Sequence, residues 1–319
     1  MFCCLDAPVI ISLVLLLISI FIYARWGQNH VVDPEERAIL ITGCDSGFGN
    51  QLARRLLDMG FTVFATCLFP EGEGAQSLIN HSSPGKVKVI KLDVSSDMEV
   101  AEVRQYVQNN LPVKGLWGLV NNAGISTWGM FDWHTIEEYR RFVDINLLGS
   151  IRTTLAFAPL IRKSKGRMVF MSSISSYITF MNGIYSMTKA GLEKFCDSLR
   201  LGMKQTGVKV CLIEPGNYAQ ATNIQAQKSA DDIWNSLSAD AQEDYSKEFV
   251  EKVNHSVNSA LSQGSSKGHE VVDAIVDALT SASPKSRYLV ASLGEKISIY
   301  LSLWLPTSVF DQILSRAAS

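Results

Sequence analysis

No stretch of this sequence is basic. Lysine and arginine total 29 against 31 aspartates and glutamates in 319 residues, the formal net charge is −2, and no Lys/Arg run interleaves with aromatics. That excludes the electrostatic footprint of a nucleic-acid binder. The six cysteines are Cys3, Cys4, Cys44, Cys67, Cys196 and Cys211. They form no CxxC pair and no His–Cys cluster, so no metal centre is expected. Most sit in apolar or glycine-rich settings and read as reduced thiols. There is no internal repeat and no low-complexity tract. What remains is a chain long enough for one large α/β domain with additions.

Another absence marks the N-terminus. Residues 7–24, APVIISLVLLLISIFIYA, carry no charge. Eighteen helical residues span about 27 Å, enough to cross a bilayer core. Tyr23 and Trp26 suit the interface, with Arg25 beside them. A cleaved signal peptide fits less well: MFCCLD lacks Lys and Arg, and no small-x-small site follows closely. Residues 1–26 are therefore read as a membrane anchor of undetermined orientation, and 27–37 as a polar linker.

The domain that follows alternates strands and helices. AILITG (38–43) is a short apolar run of the buried-strand kind. TGCDSGFG comes next, with Gly43, Gly47 and Gly49 spaced G-x3-G-x-G, and a helical pattern runs to a natural C-cap at Gly60. Strand, glycine turn and helix start form a dinucleotide-binding arrangement. Glycine lets the backbone approach a pyrophosphate, and the helix N-terminus offers N–H donors. Its candidate contacts are Thr42, Gly43, Asp45, Ser46, Gly47, Phe48 and Gly49. FTVFATCLF reads as a second strand. At its end, where an acidic residue often meets the ribose of NAD, stand Cys67 and Leu68, with Glu71 and Glu73 slightly beyond. No Arg or Lys is there to greet a 2′-phosphate, so NAD is favoured over NADP.

PEGEGAQSLINHSSPG reads as a surface connection, KVKVIKLDV as a third strand and MEVAEVRQYVQNNL as a helix. Asp93, next to Val94, is placed to meet an adenine. GLWGLVNNAG is a fourth strand ending in a turn of small residues, with Asn121, Ala123 and Gly124 as candidate cofactor contacts. TIEEYRRFVDINLLGSIRTTLAFAPLIRKS reads as one long helix. Asn146 sits within it among Ile145, Leu147 and Leu148, a buried polar group that needs partners.

GRMVFMSS, a fifth strand, delivers Ser172 and Ser173 to its C-terminal end, where open α/β sheets bind ligands. Tyr185 and Lys189 then fall at i and i+4 on the next helix and share a face. A lysine ammonium beside a phenol stabilises the phenolate, lowering the tyrosine pKa from about 10. VKVCLIEPG is a sixth strand ending at Pro215–Gly216. Residues 217–265 read as a substrate cap in two helical stretches. A helix and a final strand complete a catalytic domain over 38–290, and 291–319 is an apolar tail suited to a membrane surface, to closing a pocket or to core packing. The fold class is α/β, a doubly wound parallel sheet of the Rossmann type with a helical cap.

TGCDSGFG, NNAG, Asn146, Ser173, YxxxK at Tyr185 and Lys189, and EPG at 214–216 together resemble the short-chain dehydrogenase/reductases over about Ala38 to Tyr288. TGCDSGFG, GLWGLVNNAG and IEPG are similar to the branch holding retinol, hydroxysteroid and 3-hydroxybutyrate dehydrogenases. The resemblance implies Tyr185 as general acid/base and Lys189 lowering its pKa and holding the nicotinamide ribose. It implies Ser173 on the substrate oxygen and Asn146 on a relay water. Gly43, Gly47, Gly49, Asp93, Asn121, Pro215 and Gly216 would sit along NAD. A twelve-residue step to Tyr185 selects Ser173 for that role and a thirteen-residue step Ser172, and both occur in the branch.

Between Ser173 and Tyr185 no Arg, Lys or His offers to hold a carboxylate. That suits a lipophilic secondary or allylic alcohol such as retinol or a hydroxysteroid, interconverted with its ketone or aldehyde by an NAD-dependent enzyme in the endoplasmic reticulum membrane. The alternative is a 3-hydroxybutyrate dehydrogenase, mitochondrial in that case. NAGIST and PGNYAQAT resemble that enzyme, and Thr222 falls six residues after Gly216, outside the family's PGxxxT spacing. A non-catalytic sensor of NAD(H) or lipid is the reading from another class. Membrane lipid is an expected partner, nucleic acid is not, and a homo-oligomer stays open.

Overall fold

The computed structural model describes residues 32–225 and 228–318. The expected anchor at 7–24, with the rest of 1–31, lies outside the described residues. Among those described, no helix is long and apolar enough to cross a membrane.

Seven parallel strands form one sheet: β1 (Ala38–Ile41), β2 (Thr62–Cys67), β3 (Val87–Lys91), β4 (Leu116–Asn121), β5 (Arg167–Met171), β6 (Lys209–Pro215) and β7 (Arg287–Val290), in the order β3-β2-β1-β4-β5-β6-β7. The order reverses direction between β1 and β4, which opens a crevice at their C-terminal ends. Helices cover both faces, so the strands read as continuous apolar runs; all four residues of β1 are buried.

The two-residue period sends Ile39 and Ile41 into one core and Ala38 and Leu40 into the other. The first core lies against α1 (Gly47–Asp58), whose Leu52 and Leu56 are fully buried. Each such side chain contributes about 1.5–3 kcal/mol. α2 (Glu73–His81) buries Ala75 and Leu78 in the same core. This is the stretch expected to be a surface connection. The helix is only nine residues long, and Gly72, Gly74 and the flanking Ser–Pro sequence mask its period.

α3 (Asp97–Asn109) lies against the second core. The expected long helix is present but broken into three windings: α4 (Ile136–Phe142), a π-helical turn at Val143–Leu148, and α5 (Gly149–Ser164). A π turn carries one residue more than the α turn it replaces and often marks a functional site. Asn146 lies in it. α6 (Gly183–Met203) follows β5, as its periodicity predicts.

The cap is three helices rather than two: α7 (Ala230–Ser236), α8 (Ala239–Asp244) and α9 (Lys247–Ser262). Serine opens each one: Ser229, Ser238 and Ser246 accept from Asp232 N, Ala241 N and Phe249 N. Ile233, Val250 and Val253 pack with Trp128 and Trp133 in a third apolar cluster. α10 (Gly268–Thr280) returns to the first core before β7. The tail forms α11 (Leu293–Trp304) and α12 (Thr307–Ala318). It is not core: Ile299 and Phe310 are buried, but Leu303 is 61 % and Trp304 84 % exposed.

Candidate active site

Two cavities lie at the C-terminal edge of the sheet. One, of about 480 Å³, runs across the switch point and is lined by Gly43, Asp45, Ser46, Gly47, Phe48, Asp93, Val94, Ala123 and Gly124. The other, of about 340 Å³, is lined by Ser173, Tyr185, Lys189, Pro215 and Gly216. Phe48, Asn122, Thr222 and Ile224 face both and form their common wall.

The first cavity is a cleft built from backbone. Gly43 and Gly47 have φ of +72° and +60°, conformations that favour glycine. A Cβ on Gly49 would stand 2.2 Å from Gly43 O and 2.6 Å from Asn122 Nδ2, so the turn closes only on glycine. The N-cap of α1, Ser46, gives no side-chain cap, and the first turn holds no acidic residue. The helix therefore presents uncapped N–H groups and the positive end of its dipole to the cleft. These residues fit a dinucleotide pyrophosphate.

Several expected contacts have other partners. Thr42 Oγ1 accepts from Asn122 N and Ala123 N, both at 3.0 Å, so it pins the NNAG turn to β1. Asn121 turns its amide away from the cleft, donating to Thr154 Oγ1 at 3.1 Å and accepting from Thr153 Oγ1 at 2.5 Å. Its neighbour Asn122 takes the wall, donating to Thr42 O at 2.8 Å and Gly43 O at 2.9 Å. Side chains alternate across a strand end, so the amide on the cleft wall is that of Asn122, while the expected Asn121 packs inward. Asp93 lines the cleft while accepting from Ser95 N and Oγ at 2.9 and 2.7 Å. Thr222 lines both cavities in spite of its spacing, because a 3₁₀ turn at Ala219–Ala221 takes up the extra residues.

The second cavity gathers Ser173, Tyr185 and Lys189. β5 ends at Met171, and its carbonyl accepts from Lys189 Nζ at 2.7 Å, which fixes the ammonium against the strand. Nζ lies 5.4 Å from the Tyr185 ring centroid. Burial pushes the Tyr185 phenol up to about 12, with the Ser173 hydroxyl acting the other way. Burial also brings Lys189 down to about 8. The expected lowering of Tyr185 is thus outweighed by burial, and Lys189 is turned to a backbone carbonyl.

Ser172 and Ser173 have different partners. Ser172 Oγ donates to Glu193 Oε1 at 2.7 Å, while Ser173 faces Tyr185. Asn146 is fully engaged: its amide donates to Ile125 O at 2.9 Å and Thr188 Oγ1 at 3.1 Å, and accepts from Ile125 N at 2.9 Å. It lies behind the cavity wall and is joined to it through Thr188, next to Lys189.

Next to Ser172 is a half-buried ionic network that sequence reasoning missed. Glu193, one turn beyond Lys189, accepts from both Ser172 and Ser176. Arg287 of β7 donates to Glu193 at 2.6 Å, Glu214 at 2.5 Å and Asp197 at 3.1 Å. Burial first, and then the charge of Glu193, raise the Glu214 carboxyl above the usual range. Also missed was Trp128 on the cavity wall, where it is joined by Phe180 from the segment before YxxxK and Leu261 from the expected cap. An aromatic residue shortly after NNAG was the available signal.

A glycine cradle at a switch point, beside a buried Ser–Tyr–Lys cluster, defines a nicotinamide-nucleotide oxidoreductase. The family model for short chain dehydrogenases matches residues 37–233, more than half of the chain, and the chain belongs to that family. It is 37 % identical over 307 residues to 17-beta-hydroxysteroid dehydrogenase type 6 of Bos taurus, covering 94 % of this chain and 95 % of that one. It is 36 % identical over 284 residues to retinol dehydrogenase 7 of Mus musculus, covering 88 % of each. To the mitochondrial D-beta-hydroxybutyrate dehydrogenase of Bos taurus it is 40 % identical over 232 residues, 69 % of this chain and 67 % of that one.

Proposed function

We propose that the protein is an NAD-dependent dehydrogenase that interconverts a lipophilic secondary or allylic alcohol, of the retinol or hydroxysteroid type, and its carbonyl. One observation carries the substrate class. Among the described residues lining the second cavity, Lys189 is the only one with a charged side chain, and its ammonium is bonded to Met171 O. The rest of the wall includes Trp128, Phe180, Ile224 and Leu261, which suits an apolar body and offers a carboxylate no further cationic partner.

In this reading Ser173 Oγ holds the substrate oxygen and the Tyr185 phenol exchanges a proton with it. NAD, when bound, supplies the hydride acceptor. A phenol held up by burial is protonated at neutral pH, the form that gives its proton to a carbonyl oxygen. Oxidation of the alcohol needs the opposite form, which positive charge near the phenol favours, and Lys189 is the resident source. Asn146 positions this group through Thr188, and Ser172 props the loop from Glu193. The uncharged segment at 7–24 and the exposed apolar tail helices support attachment to a membrane from which such a substrate partitions.

Purified full-length protein in detergent, given NAD, is expected to form NADH with all-trans-retinol or a hydroxysteroid and not with 3-hydroxybutyrate. The reverse pattern would transfer the reading to the hydroxybutyrate class. Tyr185→Phe should keep NADH binding and lose turnover by about 10²–10⁴-fold; turnover near the parent level would remove Tyr185 from its role.

A further inference from the structure

On this fold the end of the second strand is where an acidic side chain meets the adenosine ribose. Here that strand runs out into Leu68 and Phe69. The structure fills the place from elsewhere. Asp45, in the turn after β1, reaches across so that its carboxylate accepts both backbone N–H groups there: Leu68 N at 3.0 Å and Phe69 N at 2.8 Å, one on each oxygen. All three residues line the cofactor cleft, whereas Glu71 and Glu73 are not among its lining residues. We propose that Asp45 is the side chain by which this chain selects NAD over NADP, an inference that rests on the dinucleotide reading above.

Two effects act together. A 2′-phosphate brought to the end of β2 meets a carboxylate, and like charges at short range disfavour binding. The pair of backbone N–H groups that could otherwise hold phosphate oxygens is already occupied by that carboxylate. A ribose hydroxyl meets the opposite situation. An ionised carboxylate has about four acceptor positions, and two are taken by Leu68 and Phe69. The remainder can accept from a 2′-hydroxyl, while the backbone bonds hold the group still. The helix that follows fixes the turn from outside: Asn50 Nδ2 donates to Cys44 O at 3.0 Å and to Gly74 O at 2.8 Å, which ties α2 to the loop that carries Asp45.

The test is equilibrium binding of NADH and NADPH, by titration calorimetry, to full-length protein and to Asp45→Asn. The asparagine keeps the shape and one acceptor oxygen but not the charge. The parent should bind NADH at least about tenfold more tightly, and the variant should narrow that ratio by about tenfold, mainly through tighter NADPH. A ratio unchanged within about twofold in a folded variant, or a parent that prefers NADPH, would overturn the proposal. Binding of neither nucleotide by the parent would instead bring down the dinucleotide reading itself. Where Asp45→Asn does not fold, Asp45→Ser carries the same comparison. Competition in the parent protein gives a third route: adenosine 5′-monophosphate should displace NADH and its 2′-phosphorylated form should not, and equal displacement would overturn the assignment.

Discussion

The two halves of the sheet prepare their ligand sites by different means. On the β1–β4 side the cleft is made mainly of backbone: positive-φ glycines, a bare helix N-terminus and a turn pinned by Thr42 and Asn122. On the β5–β7 side the cavity is made of side chains, and the serines flanking Ser173, Ser172 and Ser176, are held by Glu193, one of the carboxylates gathered around Arg287. The turn of the first half answers to steric exclusion, where an added atom is fatal, and charge enters it through Asp45. The second answers to hydrogen bonding and charge, where the loss of one acceptor is enough.

The sharpest way to break that contrast is Gly49→Ala. The new methyl would meet Gly43 O at 2.2 Å, so the turn must open. A loss of about 4 kcal/mol or more is expected by chemical denaturation, with NADH binding abolished. A normally folded, NADH-binding Gly49→Ala protein would show the backbone half to be pliant.

Next comes Glu193→Ala, which leaves Ser172 and Ser176 without their acceptor and Arg287 short of a partner. Arg287 is partly exposed and still engaged by Glu214 and Asp197, so the loss should fall below the roughly 3–5 kcal/mol of a fully buried pair, at about 2 kcal/mol. Glu193→Gln keeps the acceptor oxygen and relieves crowding of negative charge, so it should cost about 1 kcal/mol or less. Equal losses for alanine and glutamine would show that the site needs the carboxylate's charge and not only an acceptor oxygen of that shape.

The smallest effect has the opposite sign. Lys189 is held at about 8 when folded against an ordinary 10.5. Below pH 8 both states are protonated and the burial penalty is fully present. Between pH 8 and 10.5 the unfolded chain binds more protons, so stability rises with pH across that window. Tyr185 works the other way above its ordinary value of 10, because the folded state keeps its proton up to about 12. Lys189→Met should therefore raise stability at neutral pH by about 2 kcal/mol, less the lost bond to Met171 O, and flatten the rise between pH 8 and 10.5 while turnover disappears. An unchanged pH profile of unfolding would mean that Lys189 carries no burial penalty.

The same contrast explains what the sequence made legible. The strands, the glycine turn and the Tyr–Lys pair are local patterns, set by a period of two, a run of glycines or one helical turn, and the structure places all of them where those periods point. What escaped depends on distance along the chain. Arg287 meets Glu193 from 94 residues away, and Asp45 meets Phe69 from 24 away. α2 was hidden because its helical signal is short and flanked by glycines. The choice between Asn121 and Asn122 turned on which side of β4 each amide leaves, which the motif does not state.

The π turn at Val143–Leu148 makes chain length itself a functional variable. Removing one residue there would restore uniform winding. The flanking windings would keep their facing, because the bulge already absorbs the extra residue, but the residues within it would be re-aimed. Asn146 would swing away from Ile125 and Thr188, with no side chain changed in kind. Insertions and deletions are usually absorbed in surface loops, but this helix holds a position where the count of residues, rather than their chemistry, sets the site.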